Sequence, residues 1–254
     1  MKVTILGCGA AGGVPMISIG WGHCDPTNPR NRRRRPSILV EEAGRTILID
    51  SGPDLREQLL DAEVRHLDAV LYTHAHADHI HGIDDLREVN RAMRGPISVY
   101  GTAATLDEIA ERFDYVFGEL PPDSQIFKPW LRRHMVDAPF MVGPVEVVPF
   151  DQDHHYCRTT GYRIGRVAYS TDVWDLPEES FAALRDLDLW IVGCLVDTPH
   201  PTHAHLDKVL GWVERIRPKF TLLTHMSPGL DYASLSASLP AGIAPAYDGQ
   251  VIEI

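Results

Sequence analysis

The sequence predicts an α/β fold of two mixed β-sheets with helices packed outside them. Strand-like runs alternate with helix-like runs along the chain of 254 residues. Several neighbouring strands are joined by short hairpins and not by helical crossovers, which argues against one all-parallel, doubly wound sheet. Apolar residues make up 44% of the chain, enough for a large core, and no repeat or linker divides it. We therefore expect a single domain spanning residues 1–254.

The elements of the first half are marked by apolar patterning and turn residues. Each strand is a short apolar run rich in β-branched residues, and the second and third are predicted to form a hairpin around Gly44. Ile83, Leu86, Val89 and Met93 are spaced like one face of a helix. The predicted strands are Val3–Leu6, Ser37–Val40, Thr46–Asp50, Leu67–Tyr72 and Ile97–Tyr100. The predicted helices are Asp54–Leu60, Ile83–Met93 and Ala103–Phe113.

The second half continues this alternation, with one hairpin predicted around Gly165-Arg166 and a final one around Asp248-Gly249. The segment Phe117–Pro139 carries four prolines and is predicted to be a loop or a lid over the functional site. The predicted strands are Val145–Phe150, Tyr162–Ile164, Val167–Ser170, Leu187–Val192, Phe220–Leu223 and Val251–Ile254. The predicted helices are Pro177–Arg185 and Leu206–Ile216.

Charge and composition restrict the class of protein. The chain has 24 Lys and Arg against 35 Asp and Glu, a formal net charge of −11, which argues against sequence-independent binding to nucleic acid. No apolar run approaches the ~20 residues that cross a bilayer, and the first residues lack the pattern of a signal peptide. The four cysteines lie far apart and form no CxxC pair. We therefore expect a cytoplasmic protein with no membrane partner and no stable nucleic-acid partner.

Five arginines within residues 30–35, interrupted only by Asn31, form a local excess of positive charge. One interpretation is a solvated loop, or arginines that pair with acidic neighbours. The other is recognition of an anion. The sequence alone does not choose between them, and the role of the run stays open at this point.

A dense cluster of histidine and aspartate follows the predicted strand Leu67–Tyr72, in the segment Thr73-His74-Ala75-His76-Ala77-Asp78-His79. Residues two apart in an extended chain project to the same side, so His74 and His76 can bind one cation together. Asp78 and His79 follow at the turn into the next helix and can face a second cation. Imidazole and carboxylate ligands suit Zn²⁺ or Mn²⁺. A histidine-rich surface loop is the less favoured interpretation.

This segment is the HxHxDH signature, and with it the sequence resembles the metallo-β-lactamase superfamily. Four further landmarks of that superfamily occur in the expected order: an aspartate after an early strand, a histidine after a middle strand, an aspartate after a hairpin and a histidine after a late strand. These landmarks are Asp50, His154, Asp172 and His225. The resemblance covers essentially the whole chain and implies a four-layer αββα sandwich, two mixed β-sheets flanked by helices.

The resemblance also implies two divalent metal ions, Zn²⁺ or Mn²⁺, as cofactors. Their implied ligands are His74, His76 and His154 for the first ion, Asp78, His79 and His225 for the second, and Asp172 between them. Asp50 would orient a ligand from behind, as carboxylates near metal sites commonly do. His154 is preferred to His155 on the family's Gln-x-His pattern, because spacing alone cannot choose between the two.

The resemblance extends to one branch, the PhnP-type phosphodiesterases. The stretches that carry it are Gly7–Pro15, Trp21–Pro26, Arg32–Arg35, Thr198–His203 and Thr224–Ser227. In that branch a histidine at the position of His203 assists catalysis by contacting the phosphate or protonating the leaving oxygen, a step that suits an imidazole. A helix-entry histidine bonded to backbone is the alternative for His203. The resemblance implies Asp78 as the second catalytic residue.

The chain departs from some members of that branch in its early loop. Several relatives carry a further structural zinc ion, bound by a cysteine cluster in this loop and by a histidine shortly after the last metal ligand. Here the loop offers only His23 and Cys24, and Ser227-Pro228-Gly229 lacks the histidine. We therefore expect no third, structural metal ion.

These observations predict a dinuclear metal-dependent hydrolase that cleaves a small phosphodiester, a cyclic phosphate of a ribose or nucleotide, with metal-activated water as the nucleophile. No Gly-x-Ser-x-Gly motif supplies a serine nucleophile instead. Two alternatives stay open: a thioester or lactone hydrolase that uses the same metals, and a non-catalytic metal- or nucleotide-binding protein of cofactor biosynthesis. The expected partner is the small phosphate-ester substrate or a nucleotide, and a homodimer is an open alternative to a monomer.

Overall fold

The structure of the protein, a computed structural model, describes residues 1–121 and 124–254. The strands of the first half are β1 (Lys2–Gly7), β2 (Ser37–Glu42), β3 (Arg45–Ile49), β4 (Ala69–Leu71), β5 (Ile97–Gly101) and β6 (Leu131–Met135). The helices of this half are α1 (Leu55–Asp61), α2 (Ala77–Ile80), α3 (Leu86–Met93) and α4 (Ala103–Arg112). A 3₁₀ turn at Ile83–Asp85 leads into α3, so the predicted helix Ile83–Met93 is divided in two.

The second half contains the remaining strands and two further helices. The strands are β7 (Phe140–Val142), β8 (Val145–Asp153), β9 (Arg158–Ile164), β10 (Val167–Ser170), β11 (Leu189–Gly193), β12 (Phe220–Thr224), β13 (Ile243–Pro245) and β14 (Val251–Glu253). The helices are α5 (Leu206–Ile216) and α6 (Tyr232–Ser238). None of the helices in the described ranges is both long and apolar enough to span a bilayer.

The strands form two seven-stranded mixed sheets, which confirms the predicted fold class. The first sheet has the order β14-β1-β2-β3-β4-β5-β6 and the second the order β13-β12-β11-β10-β9-β8-β7. In each sheet half of the neighbouring pairs are antiparallel and half are parallel. Because β3 and β4 run in parallel, and β8, β10, β11 and β12 share one direction, the carboxyl ends of each group lie at one edge of its sheet.

Side-chain alternation along the strands explains the layers. In β2, Ile38 and Val40 belong to the apolar cluster shared by the two sheets, while Leu39 faces the opposite way. Residues at successive positions of a strand point to opposite faces, so one strand supplies both clusters. Leu39 packs in a second cluster with residues of α1, α3 and α4, including Leu59 and Leu106. The helices on this side therefore cover the outer face of the first sheet.

Three further predicted elements differ from the structure. The predicted helix Pro177–Arg185 is only a 3₁₀ turn over Glu178–Ala182. The guanidinium of Arg163 in β9 donates hydrogen bonds to the carbonyls of Ala183 and Arg185, both at 2.9 Å, and these contacts from another strand hold the segment that follows the turn.

The final predicted hairpin is wrong because its two arms lie in different sheets. The turn at Asp248-Gly249 separates β13, which pairs with β12, from β14, which pairs with β1. The segment Phe117–Pro139 was predicted as a loop or lid, and β6 within it is an edge strand of the first sheet. Residues 122 and 123 of that segment lie outside the described residues.

The arginines of residues 30–35 find partners within the protein. Arg33 is buried, and its guanidinium donates to the carbonyls of Ser227 and Leu230 at 3.2 and 2.7 Å. The other contacts are the ion pairs Arg34–Asp61 and Arg35–Asp54, the stacking of Arg30 on Tyr232 and Tyr247, and that of Arg32 on Trp21. The structure therefore favours intramolecular pairing over anion recognition, and Arg33 ties the early loop to the segment after β12.

Candidate metal centre

Loops at the carboxyl ends of six strands bring the predicted site residues to one edge of the sandwich. Three of these residues continue directly from a strand: Asp50 follows β3, His154 follows β8 and His225 follows β12. His74 and His76 lie in the extended segment between β4 and α2, and Asp78 and His79 lie in the first turn of α2. Asp172 follows β10, and His203 lies in the loop between β11 and α5.

The structure brings the seven predicted ligands into two groups that share one carboxylate. Within each group, the candidate ligand atoms lie within 4.8 Å of one another. Site 1 consists of His74, His76, His154 and Asp172. Site 2 consists of Asp78, His79, Asp172 and His225. The two groups are consistent with a dinuclear metal site, and Asp172 belongs to both.

Asp172 turns one oxygen towards each site. Its Oδ2 lies 2.9 Å from His79 Nε2 and 3.2 Å from His225 Nε2, both in site 2. Its Oδ1 lies 3.8 Å from His154 Nε2 in site 1. The hydroxyl of Thr171 donates to Oδ2 at 2.8 Å, which holds the carboxylate plane. The geometry is that of a carboxylate able to bridge two cations.

The nitrogen and oxygen atoms that face the two sites are suited to binding metal ions. Nε2 of His74 is buried and makes no hydrogen bond in the part of the chain that the structure describes. Buried polar atoms normally have a partner, so its lack of one indicates a missing ligand. Imidazole nitrogen and carboxylate oxygen are donors for Zn²⁺ and Mn²⁺. The residues therefore fit the two implied ions.

Asp50 lies behind site 2 and fixes His79. Its Oδ2 accepts from His79 Nδ1 at 2.7 Å, and its two oxygens accept from the backbone N–H and hydroxyl of Thr73, both at 2.8 Å. A carboxylate that holds the outer nitrogen of an imidazole orients the inner nitrogen and raises its basicity. Asp50 is fully buried and performs the orienting contact that was predicted for it.

Two histidine rings of site 1 are also held by a hydrogen bond at Nδ1, the nitrogen that points away from the site. His74 Nδ1 lies 3.0 Å from the hydroxyl of Thr73, and His154 Nδ1 donates to the carbonyl of Thr202 at 2.8 Å. Each contact leaves Nε2 free to face site 1. His155 is exposed, and its ring packs against Tyr156 and Trp174. The structure thus brings His154, and not His155, into the cluster.

The pKa values of the histidines shift in opposite directions at the two sites. Burial lowers the pKa of His74 well below its ordinary value and that of His154 to about 4. Burial alone would also lower the pKa of His79, but the carboxylates of Asp78, Asp172 and Asp50 raise it well above its ordinary value. Without metal, the His79 imidazolium therefore occupies the place of a cation among three carboxylates.

Three residues of the centre have left-handed backbone conformations. The φ angles are 63° at Asp50, 46° at Asp172 and 55° at His225. Residues other than glycine rarely adopt this region, and each costs roughly 1–3 kcal/mol. Asp and His tolerate it better than β-branched residues do. The sharp turns after β3, β10 and β12 aim these side chains into the gap between the sheets.

His203 lies beside the cluster and belongs to neither group. Its Nε2 is 3.1 Å from Asp172 Oδ1, and its ring stacks on that of His225, with centroids 5.1 Å apart. The ring is half-buried, and Nδ1 lies 2.8 Å from the hydroxyl of Thr202. His203 therefore points its Nε2 at the carboxylate that the two sites share.

Sequence reasoning missed the threonines that support the centre. Thr73, Thr171, Thr202 and Thr224 each directly precede a site residue, and the first three contact one by hydrogen bonds. This Thr-His or Thr-Asp repetition is visible in the sequence. It could have been interpreted as a set of hydroxyls held beside the ligands by the ends of the strands.

The fold and the site both have known relatives. Residues 45–226 match the family described as "Beta-lactamase superfamily domain". A solved structure of a new diphosphatase from the PhnP family is 34% identical in sequence, with a TM-score of 0.91, covering 100% of this chain and 97% of that one. Zn²⁺-bound PqqB from Methylobacterium extorquens shares the fold at 20% identity, with a TM-score of 0.77 and full coverage of both chains.

A curated relative matches nearly the whole chain. A protein of Porphyromonas gingivalis named octanoyltransferase is 34% identical over 256 residues, which cover 98% of this chain and 51% of that protein. The chain spans about half or less of the length of the curated relatives that it matches. The family match and the full-length structural relative are sufficient for an assignment. The chain belongs to the metallo-β-lactamase superfamily and to its PhnP family.

Proposed function

We propose that the protein is a dinuclear metal-dependent hydrolase that cleaves a small phosphodiester, with a cyclic phosphate of a ribose or nucleotide as the preferred substrate. The observation that carries this proposal is the shared Asp172, which has one oxygen at each site and His203 beside it. Two divalent cations, when bound, would supply positive charge for the phosphoryl oxygens and lower the pKa of a coordinated water. The substrate and the identity of the metals belong to the proposal.

The chain's own residues divide the remaining tasks. Asp78 and His79 would hold the second ion, and Asp50 keeps the His79 ring in place. His203 would donate a hydrogen bond from Nε2 to the leaving oxygen, on which negative charge develops as its bond to phosphorus breaks. A catalytic role of Asp78 beyond binding the ion stays a prediction.

The charge of the site supports a diester. In the described chain, Asp78 and Asp172 form ion pairs only with histidines and with no lysine or arginine. Two divalent ions against these two carboxylates and that of Asp50 behind His79 leave about one positive charge before a coordinated water ionises. That balance suits the single negative charge of a phosphodiester, whereas a diphosphate would bring a greater charge.

A diphosphate is nevertheless the second candidate substrate, because the PhnP-family relative with a TM-score of 0.91 is a diphosphatase. Cleavage of either substrate requires attack of water on phosphorus beside a shared carboxylate. The phosphodiester and the diphosphate differ in the charge next to the reacting phosphorus. Comparing the rates at which the protein hydrolyses them therefore decides between the two candidates.

A substrate panel with Zn²⁺ or Mn²⁺ added tests the proposal. It should contain cyclic and aryl phosphodiesters, a dinucleoside diphosphate, a thioester and a lactone, with Asp172→Asn as the matched inactive control. We expect the highest kcat/KM on a cyclic phosphodiester. Preference for the diphosphate would select the second candidate. Turnover of only the thioester or lactone would contradict phosphoryl transfer, and no turnover of any substrate would favour a non-catalytic binding protein.

A further inference from the structure

Thr202 contacts two imidazole rings of the centre through two different groups. Its backbone carbonyl accepts from His154 Nδ1 at 2.8 Å, and its hydroxyl oxygen lies 2.8 Å from His203 Nδ1. Each contact engages the outer nitrogen of a ring. The inner nitrogen, Nε2, of both rings then points towards Asp172, at 3.8 and 3.1 Å from Oδ1. One residue therefore orients a site 1 ligand and the neighbouring free histidine together.

The hydrogen-bond pattern fixes which nitrogen of neutral His203 carries the proton. Asp172 Oδ1 is a carboxylate oxygen that can only accept, so His203 Nε2, 3.1 Å away, must carry the hydrogen. Nδ1 of the neutral ring is then an acceptor, and the Thr202 hydroxyl must donate to it.

A second imidazole competes weakly for the same hydroxyl. Its oxygen lies 3.4 Å from His200 Nδ1, but that nitrogen also accepts the backbone N–H of Thr202 at 3.3 Å. The contact with His203 is 0.6 Å shorter. The hydroxyl has only one hydrogen to give, and the shorter contact takes it.

We propose that Thr202 is a positioning residue that holds His203 in its Nε2–H tautomer, aimed at the shared carboxylate, while its carbonyl independently sets the ring of His154. The proposal rests on the proposed function for its catalytic consequence, because Nε2–H is the group that would face the leaving oxygen. Without the hydroxyl, His203 can shift its hydrogen to Nδ1 or rotate. Its Nε2 then has no hydrogen to offer in part of the molecules.

The first test reads the tautomer directly and does not depend on activity. Two-bond ¹H–¹⁵N spectra of the histidine rings are recorded for the Zn²⁺-loaded wild type, Thr202→Val and Thr202→Ser, with His203→Asn to assign the signals. We expect the Nε2–H tautomer of His203 in the wild type and in Thr202→Ser. Thr202→Val, which keeps the size and the backbone carbonyl, is expected to show a mixture with the Nδ1–H tautomer while retaining two bound ions.

An unchanged tautomer in Thr202→Val would overturn the proposal. Loss of bound metal in that variant would also overturn it, because it would show that the side chain, and not the carbonyl, maintains site 1. A melting temperature measured for each variant identifies general unfolding. If Thr202→Val fails to fold, the tautomer in Thr202→Ser against Thr202→Ala decides the question.

The second test separates orientation of His203 from general support of the site. Phosphodiesters with leaving groups from 4-nitrophenol to an alkyl alcohol are compared at saturating substrate. For Thr202→Val we expect a loss in kcat of about tenfold for the alkyl leaving group and less than about threefold for 4-nitrophenolate, which needs little stabilisation. Thr202→Ser should restore most of the lost rate.

Equal losses in kcat for both leaving groups would assign Thr202 a merely structural role and overturn the proposal. Failure of the wild type to hydrolyse any phosphodiester would contradict the proposed function instead. In that case the tautomer spectra still decide whether Thr202 positions His203, so the two failures can be distinguished.

Discussion

Site 1 and site 2 share Asp172 but differ in burial and in charge. Site 1 has three histidines and an exposed member, His76, whereas every member of site 2 is buried. Site 2 adds the carboxylate of Asp78 to the shared Asp172, and Asp50 supplies a third carboxylate behind His79. The difference shows how one shared carboxylate can serve two unlike sites: site 1 has no other carboxylate and has an exposed member, and the raised pKa of His79 holds a proton at site 2 until a metal displaces it.

Removing the shared carboxylate should have the largest effect. Asp172→Asn keeps the side chain's shape and tolerates the left-handed backbone, but it loses the charge at both sites. We expect the bound metal, measured by elemental analysis, to fall at both sites. We expect kcat/KM to fall on the order of 10³-fold, because several kcal/mol of charge stabilisation are lost. A variant that retains two ions and activity would contradict the bridging role.

Single-site substitutions should separate the two sites. His76→Asn removes a ligand from site 1 only, and His225→Asn removes one from site 2 only. We expect each variant to retain one tightly bound ion and to bind the other more than ~100-fold more weakly, beyond the cost of losing an outer contact. Titration against a chelator of known affinity measures both constants. Equal weakening of both sites by either substitution would show that the sites are not separate.

Asp50→Asn should weaken site 2 alone. The variant removes the negative charge that holds His79 Nδ1 at 2.7 Å. Loss of such a carboxylate typically costs 10–100-fold in metal affinity. The same chelator titration is expected to give that loss at site 2 and less than about twofold change at site 1. A matched loss at site 1 would indicate that Asp50 stabilises the fold and not the ligand.

Metal affinity should change more steeply with pH at site 2 than at site 1. The pKa of His79 is raised, so it is protonated at neutral pH and a metal ion must displace its proton. Site 2 affinity should then rise about tenfold per pH unit until the pKa of His79 is passed. His154, with a pKa of about 4, and His74 are already neutral at neutral pH, so their protons do not compete with the ion and site 1 affinity should depend less steeply on pH.

Calorimetry in buffers of different ionisation enthalpy measures this proton release. We expect about one proton released for the ion at site 2 and almost none for the ion at site 1. Proton release on metal binding at site 1 but not at site 2 would contradict the predicted difference between the sites.

The smallest effect is expected next to site 1. His155→Ala changes an exposed ring outside both groups, so metal affinity and kcat/KM should stay within about twofold of the wild type. His154→Ala, one position away, should lose the first ion. Similar losses in both variants would show that the assignment of His154 over His155 is wrong.

The members of the two candidate metal sites could largely be predicted from the sequence because their signals are local. His74, His76, Asp78 and His79 lie within six positions, and a strand end precedes each remaining member of the two groups. Alternating and helical apolar patterns also predicted most elements, since burial of one face requires them.

The failures have a common cause in contacts between distant parts of the chain. The turn at Asp248-Gly249 has the local pattern of a hairpin, but pairing of β14 with β1 takes its second arm to the other sheet. Arg163, in another strand, holds the segment that follows the 3₁₀ turn at Ala183. The carbonyl of Thr202 meets His154 from 48 positions away. No short-range pattern predicts such partners.

The central claim, that Asp172 joins two metal sites, is tested most directly by anomalous diffraction from crystals of the zinc-loaded protein at the zinc absorption edge. We predict two peaks roughly 3.5–4 Å apart, one on each side of the Asp172 carboxylate. A single peak, or two peaks of which one lies away from Asp172, would contradict the account.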